Sequence, residues 1–490
     1  MLKKSILYFI LPTVLLSADL SREVTTELSP SPKLAAALDS LISTPLLRHA
    51  HIGAAVYSQK SNTSVYSFNA DKSFLPASTM KLFTTAVALQ TLGEDFTFQT
   101  QVYLHGKSKD GCFTGDLVVK GDGDPTLTWY EGRSDSTSFN RLAAQLKAQG
   151  IKKIQGRLIG DDNVFDEQAL GWGWGWENEL YSYSAPIGGL SVNQNCLGVL
   201  VTPAKAVGER CNVRLIPAVR RALIDNRCVT VSDTASAHFQ VFRTRGSERI
   251  TLEGQFPIKH PGDQRTVTVL NPTLHTVDVL RCALTASGIE VDCDIFDIDE
   301  LYGFHYASYA PFFIHESAPL ADIVWEINKN SNNLAAESLL KTLGYELYGR
   351  GTAESGVAAI ESWCRKNGIP MEGVSLVDGS GLSRKSYLTP DSFIKLLYVM
   401  RADSAFYCSL PISGKDGTLS HRLGDATCRG RVHAKTGTLE GVYALSGYID
   451  AVNGEEWIFS LSINQAPSSR ARIYDLMNRF CMMLIKTEVQ

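Results

Sequence analysis

The sequence predicts a mixed α/β (α+β) fold in which one sheet is built from both ends of the chain. Two strand-like runs, 52–58 and 64–68, lie near the start, and two more, 442–449 and 457–463, lie near the end. An amphipathic helix follows the last of these strands and closes the chain. Because 490 residues exceed one hydrophobic core, we expect the segment between about residues 102 and 300 to be inserted into this domain.

The inserted segment is predicted to form two smaller, β-rich domains. A helix over 139–149 is ended by Gly150 and leads into a strand at 154–159. Short alternating runs between residues 197 and 268 indicate a second unit nested inside the first. The predicted domains are therefore a signal peptide at 1–18, a principal domain at 19–101 plus 301–490, an inserted domain at 102–196 plus 269–300, and a nested β-rich domain at 197–268.

The first residues have the pattern of a secretory signal peptide. Lys3 and Lys4 precede an apolar run over 5–16, and small residues follow it at 17–18. The run is short for a membrane span and contains Pro12, so an uncleaved membrane anchor is the alternative interpretation. We therefore expect an exported, extracytoplasmic protein, placed in the periplasm, with at most peripheral membrane association.

Composition and cysteine spacing exclude further classes. The formal net charge of −4 leaves no basic footprint for nucleic acid, so no such partner is expected. No two of the ten cysteines are spaced Cys-x-x-Cys, and no metal site or cofactor is predicted. Export favours disulfides for some of them, and Cys282 and Cys293 are the closest pair in sequence. Buried free thiols are the alternative.

A serine and a lysine three residues apart, Ser78 and Lys81, begin an apolar helical pattern that ends before Gly93. Positions i and i+3 share one face of a helix, so the two side chains can meet. A serine hydroxyl becomes a strong nucleophile when a base takes its proton, and lysine serves as that base when its pKa is lowered. The stretch is thus a candidate for covalent catalysis.

The order of three motifs along the chain selects Ser78 among several serines. Ser-x-x-Lys also begins at Ser338 and Ser392, but neither is followed by Ser-x-Asn before the one Lys-Thr-Gly, at Lys435. Ser331-Asn332-Asn333 lies in a predicted turn between two helices and supplies the middle motif. The alternative for Ser331 and Asn333 is a role as helix N-cap residues, which is common for both types.

With these motifs in order, the chain resembles the penicillin-binding, serine-active DD-peptidases, whose signature is Ser-x-x-Lys, Ser-x-Asn and Lys-Thr-Gly. It is most similar to the D-Ala-D-Ala carboxypeptidase/endopeptidase subfamily of low-molecular-mass class C. Two features favour that subfamily: the 253 residues from Ser78 to Ser331, and a loop at 378–384 with the sequence Asp-Gly-Ser-Gly-Leu-Ser-Arg. The resemblance implies a β-lactamase/DD-peptidase-like transpeptidase domain with a large insertion.

The resemblance also implies a mechanism and its residues. Ser78 would attack a D-Ala-D-Ala carbonyl, Lys81 would be the general base, and Ser331 would relay a proton to the departing amine. Lys435 would lower the pKa of Lys81, helped by desolvation, and attract the terminal carboxylate. The implied substrate-binding residues are Asn333, Thr436, Gly437 and Thr438, and the implied oxyanion hole is made by the backbone N–H groups of Ser78 and Thr438. The partners are peptidoglycan stem peptides and cross-links, with β-lactams as inhibitors.

Two other functions fit the same motifs. A β-lactamase would hydrolyse β-lactams rapidly, whereas the long insertion favours a peptidase. A non-catalytic peptidoglycan- or β-lactam-binding protein would release no D-alanine. A serine esterase is disfavoured because the chain has no Gly-x-Ser-x-Gly elbow. The loop at 171–176, Gly-Trp-Gly-Trp-Gly-Trp, is either an aromatic platform for sugar or peptide or a loop packed on its own domain.

Overall fold

The protein is described by a computed structural model over residues 32–128, 138–306 and 310–487. The signal peptide predicted at 1–18 lies outside these residues. Within them, no helix combines the length and the apolar character needed to cross a bilayer. The α-helices in chain order are α1 (Pro32–Ile42), α2 (Lys81–Leu92), α3 (Ser138–Ala148), α4 (Pro272–Ala286), α5 (Leu320–Asn330), α6 (Asn333–Tyr348), α7 (Ala353–Lys366), α8 (Pro390–Met400), α9 (Ser404–Ser409) and α10 (Arg470–Ile485). The strands in chain order are β1 (His51–Ser58), β2 (Thr63–Phe68), β3 (Gln99–Lys109), β4 (Cys112–Lys120), β5 (Lys153–Asp161), β6 (Cys196–Thr202), β7 (Asn212–Ile216), β8 (Leu223–Asn226), β9 (Val229–Val231), β10 (His238–Arg243), β11 (Arg249–Pro257), β12 (Asp263–Thr268), β13 (Glu290–Asp297), β14 (Phe313–Glu316), β15 (Val432–Leu439), β16 (Val442–Asp450) and β17 (Glu456–Asn464).

The principal sheet combines the two ends of the chain, and the predicted mixed α/β fold is confirmed. Its five antiparallel strands follow the order β15-β16-β17-β1-β2, with Ile52 of β1 opposite Ile463 of β17. Strands β16 and β17 are buried along nearly their whole length because helices cover both faces of the sheet. Strand β15 lies at one edge of the sheet.

A hydrophobic core lies on each face of the principal sheet. On one face α1 packs against α10 through Leu34, Leu38 and Leu41, which recur at helical spacing. On the other face α2 contacts α5, α6, α7 and α9, and its residues from Lys81 to Leu89 are all buried. A helix surrounded in this way carries its one lysine away from solvent.

A second five-stranded sheet forms most of the insertion, in the order β13-β5-β4-β3-β14. Strands β3 and β4 form an antiparallel hairpin, whereas β4, β5 and β13 are parallel and need helical crossovers such as α3. Strand β14 pairs with β3 although it follows residue 301, where the principal domain was predicted to resume. The domain boundaries themselves remain a prediction.

The nested region contains short strands in two smaller sheets. One sheet has the order β12-β6-β7, and in the other β11 pairs with β10, β8 and β9. Val199, Leu252 and Phe256 are buried between them. The strands of this region run from Cys196 to Thr268, and the sequence predicts a β-rich unit over 197–268.

All ten cysteines are free thiols, so the expectation of disulfides is wrong for this structure. Cys293 Sγ contacts the carbonyl oxygen of Ile154 on the neighbouring strand at 3.5 Å. Cys282, the cysteine closest to it in sequence, lies on α4. Cys364, Cys428 and Cys481 are fully buried and pack within the cores as small apolar residues.

The insertion docks on α6 of the principal domain. Lys341 Nζ donates to Asp166 Oδ1 at 2.5 Å and to the carbonyl oxygen of Gln168 at 2.9 Å. Phe165 forms a parallel β-bridge with Gly351 just beyond the end of α6. The Ser-x-x-Lys copy at Ser338 therefore supplies an interdomain contact through its lysine.

Two glycines allow close contact around residues 76–80. A Cβ on Gly437 of β15 would lie 2.6 Å from the carbonyl oxygen of Pro76. A Cβ on Gly381 would lie 1.8 Å from the carbonyl oxygen of Ala77, and Gly381 has a positive φ of 77°. Both obstacles are backbone atoms, so the chain cannot accept a side chain at either position without moving.

We expect Gly437→Ala to destabilise the protein by about 1–3 kcal/mol, because β15 must move away from residues 76–80. The free energy of unfolding from denaturant titration measures this change. Gly424→Ala is the matched control, since the nearest atom to its added Cβ lies 3.9 Å away. Equal stabilities of the two variants would contradict this account of the contact.

Candidate active site

Ser78 lies where the chain enters α2. A 3₁₀ turn over Ala77–Met80 leads directly into α2, so the predicted helix begins with one tighter turn. Ala77 has a positive φ of 47°, which bends the chain immediately before the serine. Ser78 is half-buried and lines a cleft of about 190 Å³.

Lys81 is fully buried beneath Ser78. Its Nζ donates to Ser78 Oγ at 3.1 Å, to Asn333 Oδ1 at 2.6 Å and to the carbonyl oxygen of Ser380 at 2.7 Å. Three acceptors match the three donors of an ammonium group. The amine is therefore held in one position, in contact with the serine hydroxyl.

Burial lowers the pKa of Lys81 from its ordinary value of 10.5 to about 7, and the carboxylates of Glu337 and Asp378 oppose that shift. The sequence interpretation named Lys435 as the main cause, and this is corrected: desolvation dominates. Burial first, and then the charge of Lys81, hold the pKa of Lys435 well below its usual range.

Ser331 occupies the turn between α5 and α6 with a left-handed backbone, φ 60° and ψ 40°. Lys435 Nζ donates to Ser331 Oγ at 3.0 Å and to the carbonyl oxygen of Thr436 at 3.0 Å. The N-cap of α6 is Asn332, whose side chain accepts from the N–H of Ala335. The N-cap alternative for Ser331 and Asn333 is therefore wrong by one residue.

Asn333 is the first residue of α6 and has a partner at each end of its amide. Its Oδ1 accepts from Lys81, and its Nδ2 donates to the carbonyl oxygen of Tyr183 in the insertion at 2.6 Å. The second contact fixes which end of the amide faces Lys81. The sequence expected Asn333 to bind substrate, whereas here both ends of its side chain are engaged within the protein.

Strand β15 carries Lys435, Thr436, Gly437 and Thr438 along the free edge of the sheet. The N–H of Ala434 points off this edge, because it donates to the carbonyl oxygen of Pro411 outside the sheet. Every second N–H of a strand points to the same side, so the N–H groups of Thr436 and Thr438 also face outward. The edge can therefore pair with an extended peptide.

The two threonine hydroxyls already have partners in the cleft wall. Thr436 Oγ1 donates to Thr418 Oγ1 at 2.7 Å, and Thr438 Oγ1 lies 2.8 Å from the hydroxyl of Tyr474. The cleft is lined by Ser78, Ser331, Thr418, Arg422, Thr436, Thr438 and Tyr474. The structure thus brings the serines of two motifs and the threonines of the third into one cavity.

Glu337 and Asp378 support the site from below, and sequence analysis missed both roles. Glu337 is buried and accepts from the N–H groups of Gly379 and Ser380, which holds the Ser380 carbonyl toward Lys81. Burial and the nearby Asp378 raise the pKa of Glu337 to about 7. The signal available in the sequence was the position of Glu337 four residues after Asn333, on the same helical face.

The loop at 171–176 has one tryptophan that packs inward and two that are exposed, so it shows features both of a packed loop and of an aromatic platform. Trp174 packs inward, and its Nε1 donates to Asp378 Oδ2 at 3.2 Å. Trp172 and Trp176 are 60% and 67% exposed, and Lys385 Nζ lies 4.3 Å from the centre of the Trp172 ring. The insertion therefore contacts the loop at 378–384 directly.

The arrangement supports acyl transfer to an activated alcohol. A serine hydroxyl contacts an amine with a lowered pKa, which is the pairing that covalent catalysis requires.

Elsewhere, carboxylate oxygens of Asp162, Glu167 and Asp299 lie within 4.8 Å of one another. Two of these residues are exposed, and exposed acidic groups of this kind are common without a metal ion.

Comparison with known proteins gives matches along most of the chain. The model of the D-Ala-D-Ala carboxypeptidase 3 (S13) family matches residues 34–482. The D-alanyl-D-alanine carboxypeptidase of Actinomadura sp. (strain R39) is 34% identical over 436 residues, which cover 85% of this chain and 78% of that protein. The D-alanyl-D-alanine carboxypeptidase DacB of Haemophilus influenzae is 28% identical over 424 residues, covering 84% of this chain and 85% of that protein.

Solved structures give a similar result. The crystal structure of penicillin binding protein 4 from Haemophilus influenzae matches with a TM-score of 0.78 and 27% identity, covering 92% of this chain and 99% of that chain. A complex of the same protein with a β-lactam matches with a TM-score of 0.73 and 25% identity. The resemblance inferred from the ordered motifs is confirmed. Because the family model extends across nearly the whole described structure, this chain belongs to the D-Ala-D-Ala carboxypeptidase 3 (S13) family.

Proposed function

We propose that this protein is a serine D-Ala-D-Ala carboxypeptidase that removes the terminal D-alanine from peptidoglycan stem peptides. The observation that carries the proposal is the 3.1 Å contact between Lys81 Nζ and Ser78 Oγ at the floor of the cleft. The relatives named D-alanyl-D-alanine carboxypeptidases support this substrate. The same acyl transfer would also cut cross-links in which D-alanine is joined to diaminopimelate.

Acylation starts at Ser78. Neutral Lys81 accepts the hydroxyl proton, and Ser78 Oγ attacks the carbonyl carbon of the penultimate D-alanine. The backbone N–H groups of Ser78 and Thr438 stabilise the oxyanion, a contribution of about 3–4 kcal/mol for each donor. The outward direction of the Thr438 N–H on the sheet edge supports this assignment.

The departing amine needs a proton, which Ser331 and Lys435 supply. Lys435 Nζ lies 3.0 Å from Ser331 Oγ, so the hydroxyl can pass its proton to the leaving D-alanine and recover one from Lys435 in its ammonium form. The proton that Lys81 takes from Ser78 balances the proton given to the leaving nitrogen. Water then hydrolyses the acyl-serine. Thr436, Gly437 and Thr438 belong to β15, the edge strand along which the peptide binds. Asn333 orients Lys81 through its Oδ1.

A β-lactam would acylate Ser78 by the same attack, since its ring carbonyl takes the place of the scissile amide. The β-lactam complex of the Haemophilus influenzae protein supports this expectation. Because peptidoglycan lies outside the cytoplasm, we place the protein there, in the periplasm, as an exported enzyme.

Ser78→Ala is expected to abolish both the mass adduct formed with labelled penicillin and the release of D-alanine, because Oγ is the atom that forms the acyl bond. Intact-protein mass spectrometry and a D-alanine assay measure the two effects. Ser392→Ala, which changes the serine of another Ser-x-x-Lys sequence, serves as the control and should keep both.

An adduct on a different residue would contradict the site. Wild-type protein that forms the adduct but releases no D-alanine would be a binding protein. Rapid turnover of a chromogenic cephalosporin would identify a β-lactamase.

The rate of acylation by a β-lactam should rise about tenfold per pH unit below pH 7 and level off above it, because only neutral Lys81 can accept the proton. Stopped-flow measurement of acylation between pH 5 and 9, chosen as roughly two units on each side, tests this dependence. A rate that falls as the pH rises through 7 would exclude Lys81 as the base.

Glu337→Gln should move that pH profile toward lower pH, because the Glu337 carboxylate raises the pKa of Lys81. Glutamine keeps an oxygen that can accept from the N–H groups of Gly379 and Ser380, so the loop remains supported. Glu346→Gln, on the exposed end of α6, is the control and should leave the profile unchanged. A shift toward higher pH would contradict the assigned electrostatic role.

A further inference from the structure

Arg422 is a buried cation in the wall of the active-site cleft. Its side chain lines the cavity with Ser78, Thr436 and Thr438, although only 8% of the residue is exposed. Its Nε donates to Asn478 Oδ1 on α10 at 2.9 Å, while its Nη2 is buried without a hydrogen-bond partner. Half of the guanidinium fork is thus held in place and the other half is unused.

No carboxylate neutralises this guanidinium among the residues that the structure describes. Arg422 takes part in none of their ion pairs. Its Cζ lies 4.5 Å from the centre of the Tyr474 ring, and the thiol of Cys481 also interacts with it. Desolvation lowers the pKa of Arg422, and Cys481 and Tyr474 oppose that shift. A buried charge without a partner costs free energy, so its place beside a cleft points to an anion that arrives from outside.

The neighbouring groups identify where that anion would lie. Tyr474, beneath the guanidinium, contacts Thr438 Oγ1, and Thr436 lies on the same wall. We propose that Arg422 is a specificity-determining residue that binds the C-terminal carboxylate of the leaving D-alanine, beside the hydroxyls of Thr436 and Thr438. This inference rests on the carboxypeptidase function proposed above.

Arg422 suits this role better than Lys435, which the sequence interpretation assigned to the carboxylate. Lys435 is committed to Ser331 and to the carbonyl oxygen of Thr436, and burial lowers the pKa of its amine. A guanidinium keeps its charge in surroundings where an ammonium loses it, and its fork matches the two oxygens of a carboxylate. Lys435 is therefore assigned to proton transfer and Arg422 to substrate binding.

The test compares two substrates that differ only at the carboxylate. They are a peptide ending in D-Ala-D-Ala and the same peptide as its C-terminal amide, each assayed for kcat/KM. In wild-type protein the free acid should be preferred by about ten- to a hundredfold, the effect of one charge-assisted contact. Arg422→Gln should lose that preference, because its kcat/KM for the free-acid peptide falls while its kcat/KM for the amide peptide stays nearly unchanged. Arg422→Lys should keep part of it, because the charge remains without the fork.

Arg429→Gln, an exposed arginine of the same segment, is the matched control and should keep the wild-type ratio. An unchanged acid-to-amide ratio in Arg422→Gln, or equal losses on both substrates, would overturn the inference. If Arg422→Gln does not fold, Arg422→Lys carries the comparison, and a wild-type preference below about threefold would overturn it without any variant. Failure of the proposed function is distinguishable, since wild-type protein would then release no D-alanine from the acid.

Discussion

The exclusion of Lys81 from water is the constraint on which the rest of the site depends. Helix α2 is surrounded by other helices, so the ammonium form of its lysine loses solvation and the pKa falls to about 7. The nearby carboxylates limit the fall without contacting the amine, because Glu337 is occupied by two backbone N–H groups. The amine stays close to neutrality and remains against Ser78, which is the state that a general base requires.

A second buried amine gives the cleft its asymmetry. Lys435 comes from the edge strand and reaches Ser331, whereas Lys81 comes from α2 and reaches Ser78. Two desolvated amines in one region disfavour double protonation. One amine can therefore be neutral and accept the proton of Ser78, while the other holds a proton that Ser331 can pass to the leaving group. The left-handed backbone at Ser331 has a local conformational cost, which the packing of α5 against α6 offsets.

The insertion is part of the active site rather than an appendage. The carbonyl oxygen of Tyr183 fixes the amide of Asn333. Trp174 donates to Asp378 in the loop at 378–384, and the same loop presents the carbonyl oxygen of Ser380 to Lys81. Ser383 of that loop donates to the carbonyl oxygen of Trp172. Movement of the insertion relative to α6 would therefore disturb the hydrogen bonds of Lys81 through both Asn333 and Ser380.

The sequence by itself determined the mixed fold, the sheet shared by both chain ends and the order of the three motifs, because hydrophobic periodicity and motif spacing are local signals. It also placed Ser331 in a turn between two helices. Only the tertiary structure decided that Arg422 lines the cleft, that Glu337 and Tyr183 hold the groups that contact Lys81, and that desolvation rather than Lys435 sets the pKa of Lys81. These properties arise where segments far apart in the chain pack together, and burial, charge pairing and unsatisfied hydrogen bonds exist only after that packing.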